Sequence, residues 1–319
     1  MDVKKGRPSM KKIIILSLVV LLLLNLYGCG KAGSSSKLGL YVMTQEFDRY
    51  GNKMSDIEYD DTGRISKAVY FSDGSPYYFV EYEYNQNGKL IQSRGYEQDP
   101  SENSAAKPHW CHDHTYDSNG NRVSLICYEY QRESIRYEYS YDANGNMLTK
   151  YVLDSKFGAH KSYYTYDADG KLKQAMDTQK GSAAWITDYQ YDTGGNLVTK
   201  IEYSKSDNNN QLRTEYKYDG AGNLIQETEF ENEEEKNRKE YQYDEYGNII
   251  SETTHTKQRG TKVISYTYTY DKSGCTVTSS SGGVQKYKKI KLNKAQAQGA
   301  IKENAGVFIE DVKNFYIED

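Results

Sequence analysis

A five-residue unit, Tyr-Asp-x-x-Gly, recurs along the chain with its tyrosine at Tyr59, Tyr116, Tyr141, Tyr166, Tyr191, Tyr218, Tyr243 and Tyr270. Tyr84-Asn85-Gln86-Asn87-Gly88 and Phe47-Asp48-Arg49-Tyr50-Gly51 are variants of it. From Tyr59 onward the units, with Tyr84 included, are spaced 25, 32, 25, 25, 25, 27, 25 and 27 residues apart. A period this regular marks a repeat architecture, in which one supersecondary unit is used many times.

The unit reads as a hairpin loop. Asp at the first turn position and Gly at the fourth are type I turn preferences. A Gly in the left-handed region extends that turn into a three-residue hairpin loop with a bulge. In Tyr218-Asp219-Gly220-Ala221-Gly222-Asn223-Leu224 the loop closes Asp219 against Asn223 and sets Tyr218 across from Leu224, with Tyr216 on the same face. The same count pairs Tyr59 with Ile65, Tyr84 with Leu90, Tyr141 with Met147, Tyr166 with Leu172, Tyr191 with Leu197 and Tyr243 with Ile249. Tyr116 meets Arg122 and Tyr270 meets Thr276, which makes two weaker hairpins. Arg213, Glu215 and Lys217 fall on the face opposite Tyr216, the period-two pattern of a half-buried antiparallel sheet. Return turns are expected at Asp73-Gly74, Gly158, Gly181, Asp207 to Asn210, Glu231 to Lys236 and Gly260. Gln98 to Pro108 absorbs the long spacing before Tyr116.

Composition points the same way. The chain has 33 Tyr but only 7 Phe, and few aliphatic residues lie beyond its first 28. Tyr is enriched in strands and depleted in disordered chains, so a repeat sheet fits better than disorder.

The run Tyr-x-Tyr-Asp-x-x-Gly-Asn-Leu, as in Tyr189 to Leu197 and Tyr216 to Leu224, resembles the YD repeat of the RHS family, over about Phe47 to Thr276. That resemblance implies hairpins wound into a spiral sheet with its Tyr/Leu face inward. The expected fold is all-β: a continuous antiparallel meander of about ten YD-type β-hairpins forming a curved or spiral sheet, as a roll, a partial barrel or a small barrel. Such arrays need caps. The candidates are Leu38 to Met43 and a C-terminal capping segment, residues 284–319, with a strand, a short helix near Asn293 to Glu303, and apolar Val307-Phe308-Ile309 and Phe315-Tyr316-Ile317. The repeat domain is then 38–283.

The N-terminus reads as a targeting segment. Lys4, Lys5, Arg7, Lys11 and Lys12 precede an apolar run from Ile13 to Leu26. That run has 14 residues, short of the roughly 17–25 that a spanning helix needs. Leu26-Tyr27-Gly28-Cys29 resembles a bacterial lipobox, with Tyr27 departing from the usual small or branched residue. The resemblance implies a lipoprotein signal peptide at 1–28, acylation (palmitate) of Cys29, and a flexible tether over 29–37 that contains Ser34-Ser35-Ser36. Removing 1–28 takes away five basic residues and one acid, so the formal charge falls from −4 to −8. Nucleic-acid binding runs on neutralising phosphate, so a chain this acidic excludes that partner.

His109-Trp110-Cys111-His112-Asp113-His114 is the densest cluster of chemistry-bearing residues. With the turn at Ser118-Asn119-Gly120, a simple count sets Cys111 directly opposite Cys127. Three readings stay open there: a cross-strand disulfide, which an exported protein can keep; a metal site using His109, Cys111 and Cys127; or two idle thiols. Cys275 stands where other repeats have Asn. Asp142-Ala143-Asn144-Gly145 and Asp167-Ala168-Asp169-Gly170 superficially resemble calcium loops, but lack the bidentate Glu that an EF-hand supplies. Turn chemistry accounts for them, and no cofactor is expected.

No phosphate loop, nucleophile elbow or paired catalytic carboxylates occur in the sequence, so the chain is read as a non-enzyme. The expected function is a membrane-anchored surface binding or scaffold protein of the bacterial cell envelope, extracytoplasmic and held by its lipid. Its partner is a protein or cell-wall polysaccharide. A carbohydrate-binding module and a carrier of an apolar envelope ligand are the alternatives. An RHS-type toxin is argued against by the 44 residues that follow Cys275 (319 minus 275). Lys286, Lys288, Lys289 and Lys291 read as the outer face of a strand, or as a contact with anionic lipid or wall polymer.

Overall fold

The computed structural model describes residues 38–292, apart from 103–105, 180–181, 246 and 273. The expected signal peptide, Cys29, the expected tether and the expected helix near Asn293 to Glu303 lie outside the described residues. Within them the chain is a meander of twenty strands. The first ten are β1 (Leu38–Phe47), β2 (Lys53–Tyr59), β3 (Ile65–Ser72), β4 (Ser75–Tyr84), β5 (Leu90–Tyr96), β6 (Trp110–Tyr116), β7 (Arg122–Glu129), β8 (Arg132–Tyr141), β9 (Met147–Asp154) and β10 (Gly158–Tyr166). There follow β11 (Leu172–Gln179), β12 (Ser182–Tyr191), β13 (Leu197–Ser204), β14 (Asp207–Tyr218), β15 (Leu224–Glu231), β16 (Glu234–Tyr243), β17 (Ile249–Thr256), β18 (Gly260–Tyr270), β19 (Gly274–Ser279) and β20 (Val284–Leu292).

Every strand pairs antiparallel with its neighbours in sequence, and β1 pairs with β20 from Leu38↔Leu292 to Phe47↔Val284. The sheet is therefore a closed barrel, not an open roll. Leu38 to Met43, expected as a cap, lies in β1. The strand expected at the start of the C-terminal segment is β20, and residues 293–319 lie outside the described residues. Strands β1 and β20 form the seam. Each would present a row of unpaired backbone groups if left at an edge, and pairing them with each other removes both edges at once.

The hairpin arithmetic explains the register. Tyr218 faces Leu224 but Lys217 faces Gln226, so Ile225 is the extra residue of a bulge. The same shift occurs at Tyr59, Tyr84, Tyr116, Tyr141, Tyr166, Tyr191 and Tyr243. The glycine closing each of these turns has φ near +80°, as in Gly145 at 84° and Gly170 at 77°, the conformation the bulge requires. Tyr270 departs from the pattern: it pairs with Cys275 rather than Thr276, with no shift. Asn is missing at position 275, and the turn tightens to a bond from the Asp271 amide to the Gly274 carbonyl at 3.1 Å. Gly274 is obligatory there, because a Cβ would lie 1.8 Å from the carbonyl oxygen of Tyr287.

Strand alternation gives the wall two unlike faces. Most buried apolar residues, including Ile57, Ile65, Val80, Leu90, Leu125, Val152, Tyr241 and Ile249, share the face of the signature tyrosines, which is the inside. The outside carries mid-strand ion pairs such as Arg94–Glu83 at 2.8 Å and Arg238–Glu240 at 3.2 Å. A barrel spanning a bilayer shows a continuous apolar band outward; here the exposed apolar residues of the outer face, such as Leu153, Tyr163 and Val263, stand among charged pairs. Hydrophobic clusters run between neighbouring strands, one over β1–β5 and another over β15–β20. A barrel of eight strands is just filled by its side chains, and sixteen or more leave a channel. Packing here follows the wall and does not cross it.

The hairpin connections divide between two rims. The Tyr-Asp-x-x-Gly turns from Asp60 to Asp271 all lie at one end. Leu38 and Leu292, the first and last described residues, pair at that same end. The opposite rim carries the Asp48 to Asn52 turn, the tight returns at Asp73-Gly74, Tyr130-Gln131 and Asn232-Glu233, and the insertion after Tyr96. The Asn-rich stretch from Asp207, expected as a turn, belongs to β14, and the return lies just before it.

Candidate functional site

The signature tyrosines are spent on the wall itself. Tyr84 donates its hydroxyl to the carbonyl of Ile65 at 2.7 Å, Tyr116 to Leu90 at 2.8 Å, Tyr141 to Arg122 at 2.7 Å and Tyr166 to Met147 at 2.8 Å. Tyr191, Tyr218 and Tyr243 continue the series to Leu172, Leu197 and Leu224 at 3.0, 2.9 and 2.6 Å. Each acceptor is the residue facing the tyrosine of the preceding hairpin, so the ladder stitches hairpin to hairpin along the inner wall. Tyr59 bonds Met43 at 2.6 Å and carries the ladder to the seam. At the other end it is Tyr268, not Tyr270, that reaches Ile249 at 2.9 Å. Burial pushes the Tyr243 phenol up to about 12 and those of Tyr241 and Tyr266 higher still, so these groups stay protonated donors.

The turn aspartates are likewise committed. In the Asp219 turn, the carboxylate accepts the amides of Ala221 and Asn223 at 2.9 Å each and the Asn223 side-chain amide at 2.9 Å. The Asn side chain, with the turn amides, holds the carboxyls of Asp48, Asp142, Asp192 and Asp219 below the usual carboxylate range. Oxygens engaged in this way are not disposed as calcium ligands. Where a basic residue replaces that Asn, it lies over the next tyrosine, as Arg64 does over Tyr84 at 4.4 Å and Lys171 over Tyr191 at 5.5 Å. A groove of about 600 Å³ between two such turns is lined by Asp219, Asn223, Tyr241, Tyr243, Asp244 and Glu245, with the Asp219 and Asp244 carboxylates engaged by their own turns.

The His-Cys strand does not assemble as counted. Val123 is the extra residue of the bulge beside Tyr116, so Cys127 faces His112 and Cys111 faces Tyr128. The two cysteines are thus one position out of register and on opposite faces of β6 and β7, and both are free thiols. For the same reason His109, Cys111 and Cys127 do not converge. No group of three metal-capable side chains occurs among the described residues. His109 lies with its Nδ1 3.1 Å from Glu97. The Cys111 thiol is pushed up to about 12, by burial and then by Asp113. His114 is driven down to about 3 by burial and by the charge of Arg122, so it sits in the wall as a neutral ring. His112 stacks on Trp110 at 4.4 Å. Trp110 and Tyr78 meet over Gly95, whose missing side chain makes the room: a Cβ there would lie 2.3 Å from the indole nitrogen and 2.6 Å from the Tyr78 hydroxyl.

A set of exposed aromatic rings stands on the rim opposite Leu38 and Leu292. Tyr50, Tyr77, Tyr130, Phe157 and Trp185 are 72, 49, 69, 65 and 46% exposed. Tyr50, Tyr130 and Phe157 are loop residues, Tyr77 is the third residue of β4, and Trp185 is the fourth of β12. Tyr50 fills a variable position of the variant turn Phe47 to Gly51 and the other four belong to no motif, so nothing in the repeat marks them as a group. The only signal was an aromatic residue in or beside a return turn that could as well have been polar.

No family model matches the chain, and no curated protein matches it. Solved structures similar to it include the complex TcdB2-TccC3-Cdc42, at 13% identity and a TM-score of 0.36 over 78% of this chain and 16% of that one. The Photorhabdus luminescens Tc holotoxin pore is similar at 14% identity and a TM-score of 0.36, over 76% of this chain and 16% of that one. A porin-like protein from Bacteroides uniformis is similar at 10% identity and a TM-score of 0.37, over 70% of this chain and 95% of that one. The chain thus spans about a sixth of the length of the first two. With TM-scores this low, none of these likenesses bears on what the chain does.

Proposed function

We propose that this chain is a YD-repeat lipoprotein of the bacterial cell envelope, a non-catalytic binding or scaffold barrel held to the membrane through Cys29. The observation that carries the reading is the division of labour between the rims. The first and last described residues, Leu38 and Leu292, lie on the rim of Asp turns, while the exposed aromatics stand on the other. An anchor nine residues before Leu38 turns the first rim to the membrane and the second outward. At most ~3.6 Å per residue, the tether keeps the barrel within about 30 Å of its anchor. The charged outer wall supports a body standing in water rather than one inserted in lipid.

The absence of catalysis is argued from commitment. The signature tyrosine hydroxyls donate to carbonyls, the turn carboxylates accept amides, and His114 of the His-Cys strand is buried and neutral. None of these groups is poised for proton transfer or attack. Labelling cells with a palmitate analogue tests the anchor. The wild-type chain is expected to take up label and partition with membranes, and Cys29→Ser to do neither; label on the Cys29→Ser chain would refute the anchor.

A further inference from the structure

We propose that the aromatic rim binds an extended β1,4-linked glycan, laid across Tyr130, Phe157 and Trp185 in an arc around the mouth of the barrel. The inference rests on the anchored reading above for its orientation, and on the rim itself for its chemistry.

Three observations carry it. First, the aromatics are periodic. Tyr130 lies between β7 and β8, Phe157 between β9 and β10, and Trp185 near the start of β12. Successive return loops are two strands apart, or ~10 Å at the usual strand spacing. An extended β1,4-linked glycan presents the same sugar face to the same side once per disaccharide, a repeat of the same length. Tyr50 and Tyr77 extend the arc by two more hairpins beyond the insertion that follows Tyr96. Protein-binding hot spots, by contrast, cluster centrally in a single packed patch, which rings two strands apart do not form.

Second, the rings are held without being covered. Arg49 lies 4.7 Å from the centre of the Tyr50 ring, Lys156 lies 5.3 Å from that of Phe157, and His109 packs 4.3 Å from Tyr130. Each ring is braced by a polar neighbour yet stays largely exposed. The rest of this rim is different: Lys236 pairs with Glu231 and Glu234, and Arg213 with Glu233. Those charges satisfy one another.

Third, Tyr130 is kept at a cost. Tyr130 and Gln131 have φ of 46° and 66°, a two-residue hairpin loop whose preferred residues are Asn and Gly. A bulky aromatic in the left-handed region is strained, and strain of this kind collects at functional positions.

The test is calorimetric titration of the full chain in detergent with two probe series, β1,4-linked oligomers of N-acetylglucosamine and of glucose, from two sugars to eight. Affinity is expected to climb with length until the oligomer spans all three rings, and the better series tells whether the N-acetyl group is read. Combining Tyr130→Ala, Phe157→Ala and Trp185→Ala is expected to lower affinity for the longest oligomer by well over about tenfold, the loss expected for a single hot-spot ring. Tyr130→Asn with Gln131→Gly separates binding from folding, because it relieves the turn: the melting temperature rises while binding weakens. Binding independent of length, binding indifferent to the three rings, or no binding of either series would overturn the proposal, the last also if a protein cross-links at position 185 instead. The anchored reading fails separately, through palmitate labelling of the Cys29→Ser chain, which leaves the rim untouched.

Discussion

Tyr270 has the repeat's sequence and Tyr268 has its bond, so removing one hydroxyl at a time separates motif from structure. Tyr268→Phe deletes the donor that reaches the Ile249 carbonyl at 2.9 Å. Ile249 is buried, at 6% exposed, so its carbonyl loses a partner where water has little access. An orphaned buried acceptor costs ~1–3 kcal/mol, and the gain from a more apolar ring offsets part of that, leaving about 1–2 kcal/mol. Tyr270 is 46% exposed, and its hydroxyl accepts a long contact from the Asn248 side chain at 3.4 Å. Tyr270→Phe is therefore expected to stay within ~0.5 kcal/mol of wild type, as surface changes do. In urea, with a slope of ~2–3 kcal/mol/M for a domain of this size, Tyr268→Phe lowers the midpoint by about 0.5 M and Tyr270→Phe leaves it in place. Equal shifts, or a larger one for Tyr270→Phe, would refute the ladder at this end of the barrel.

Gly95→Ala is expected to destabilise by ~1–3 kcal/mol, as overpacking does, because the new methyl meets the indole of Trp110 and the hydroxyl of Tyr78; thermal melting reads it, and a neutral result would mean that the indole can move. The turn carboxyls give a signed pH response. Their folded pKa values lie below the unfolded ones, so their stabilisation is complete above the unfolded value near ~4 and is lost as pH falls through the folded one. Asp219→Asn is expected to keep the turn, as Asn85 does in its own repeat, accepting the amides of Asn87 and Lys89 at 3.0 Å each, and to flatten part of the acid limb in a stability-versus-pH series. Alkylating the denatured, unreduced protein should modify Cys111 and Cys127 alike by mass spectrometry; a pair protected until reduction would show a register different from this one.

The hairpins were legible because the turn chemistry is local. Asp at the first position and Gly at the fourth set a loop, and the loop sets which residue faces the tyrosine; this held for the seven Tyr–Leu, Tyr–Ile and Tyr–Met pairs. The bulge was legible too, but its consequence for Cys111 and Cys127 was lost, because one extra residue displaces every pair beyond it and turns a facing pair into two residues on opposite faces. Tyr268 was hidden by a single substitution. Without Asn at position 275 the last turn tightens, and the phenol two residues earlier takes over the bond. Closure was out of reach of local reasoning. β1 and β20 lie at opposite ends of the chain, and whether ten hairpins curl far enough to meet depends on twist summed around the ring. The rim aromatics follow no strand alternation; Tyr50 and Tyr77, Tyr130 and Phe157, and Phe157 and Trp185 recur 27 to 28 residues apart, but that spacing is the spacing of the hairpins themselves and does not single out an aromatic residue until the strands place it on the rim.

Closure also decides where such a protein can recognise anything. An open sheet binds extended peptides by adding a strand to its edge, and β1 pairing with β20 leaves this barrel no edge to extend. Much of its outer wall carries side chains that pair with one another, as Arg94 does with Glu83 and Arg238 with Glu240, with Leu153, Tyr163 and Val263 exposed singly among them. A partner there would have to displace ion pairs that water already solvates, for little return. The inner wall holds the tyrosines with their hydroxyls committed to carbonyls, reached only through the mouths. Recognition is therefore left chiefly to the rims, and of the two, the rim of Asp turns has the first carboxylate of each turn engaged by its own backbone, as in Asp219. The other exposes aromatic rings, and one of them, Tyr130, occupies a left-handed turn position that Asn or Gly would fill with less strain.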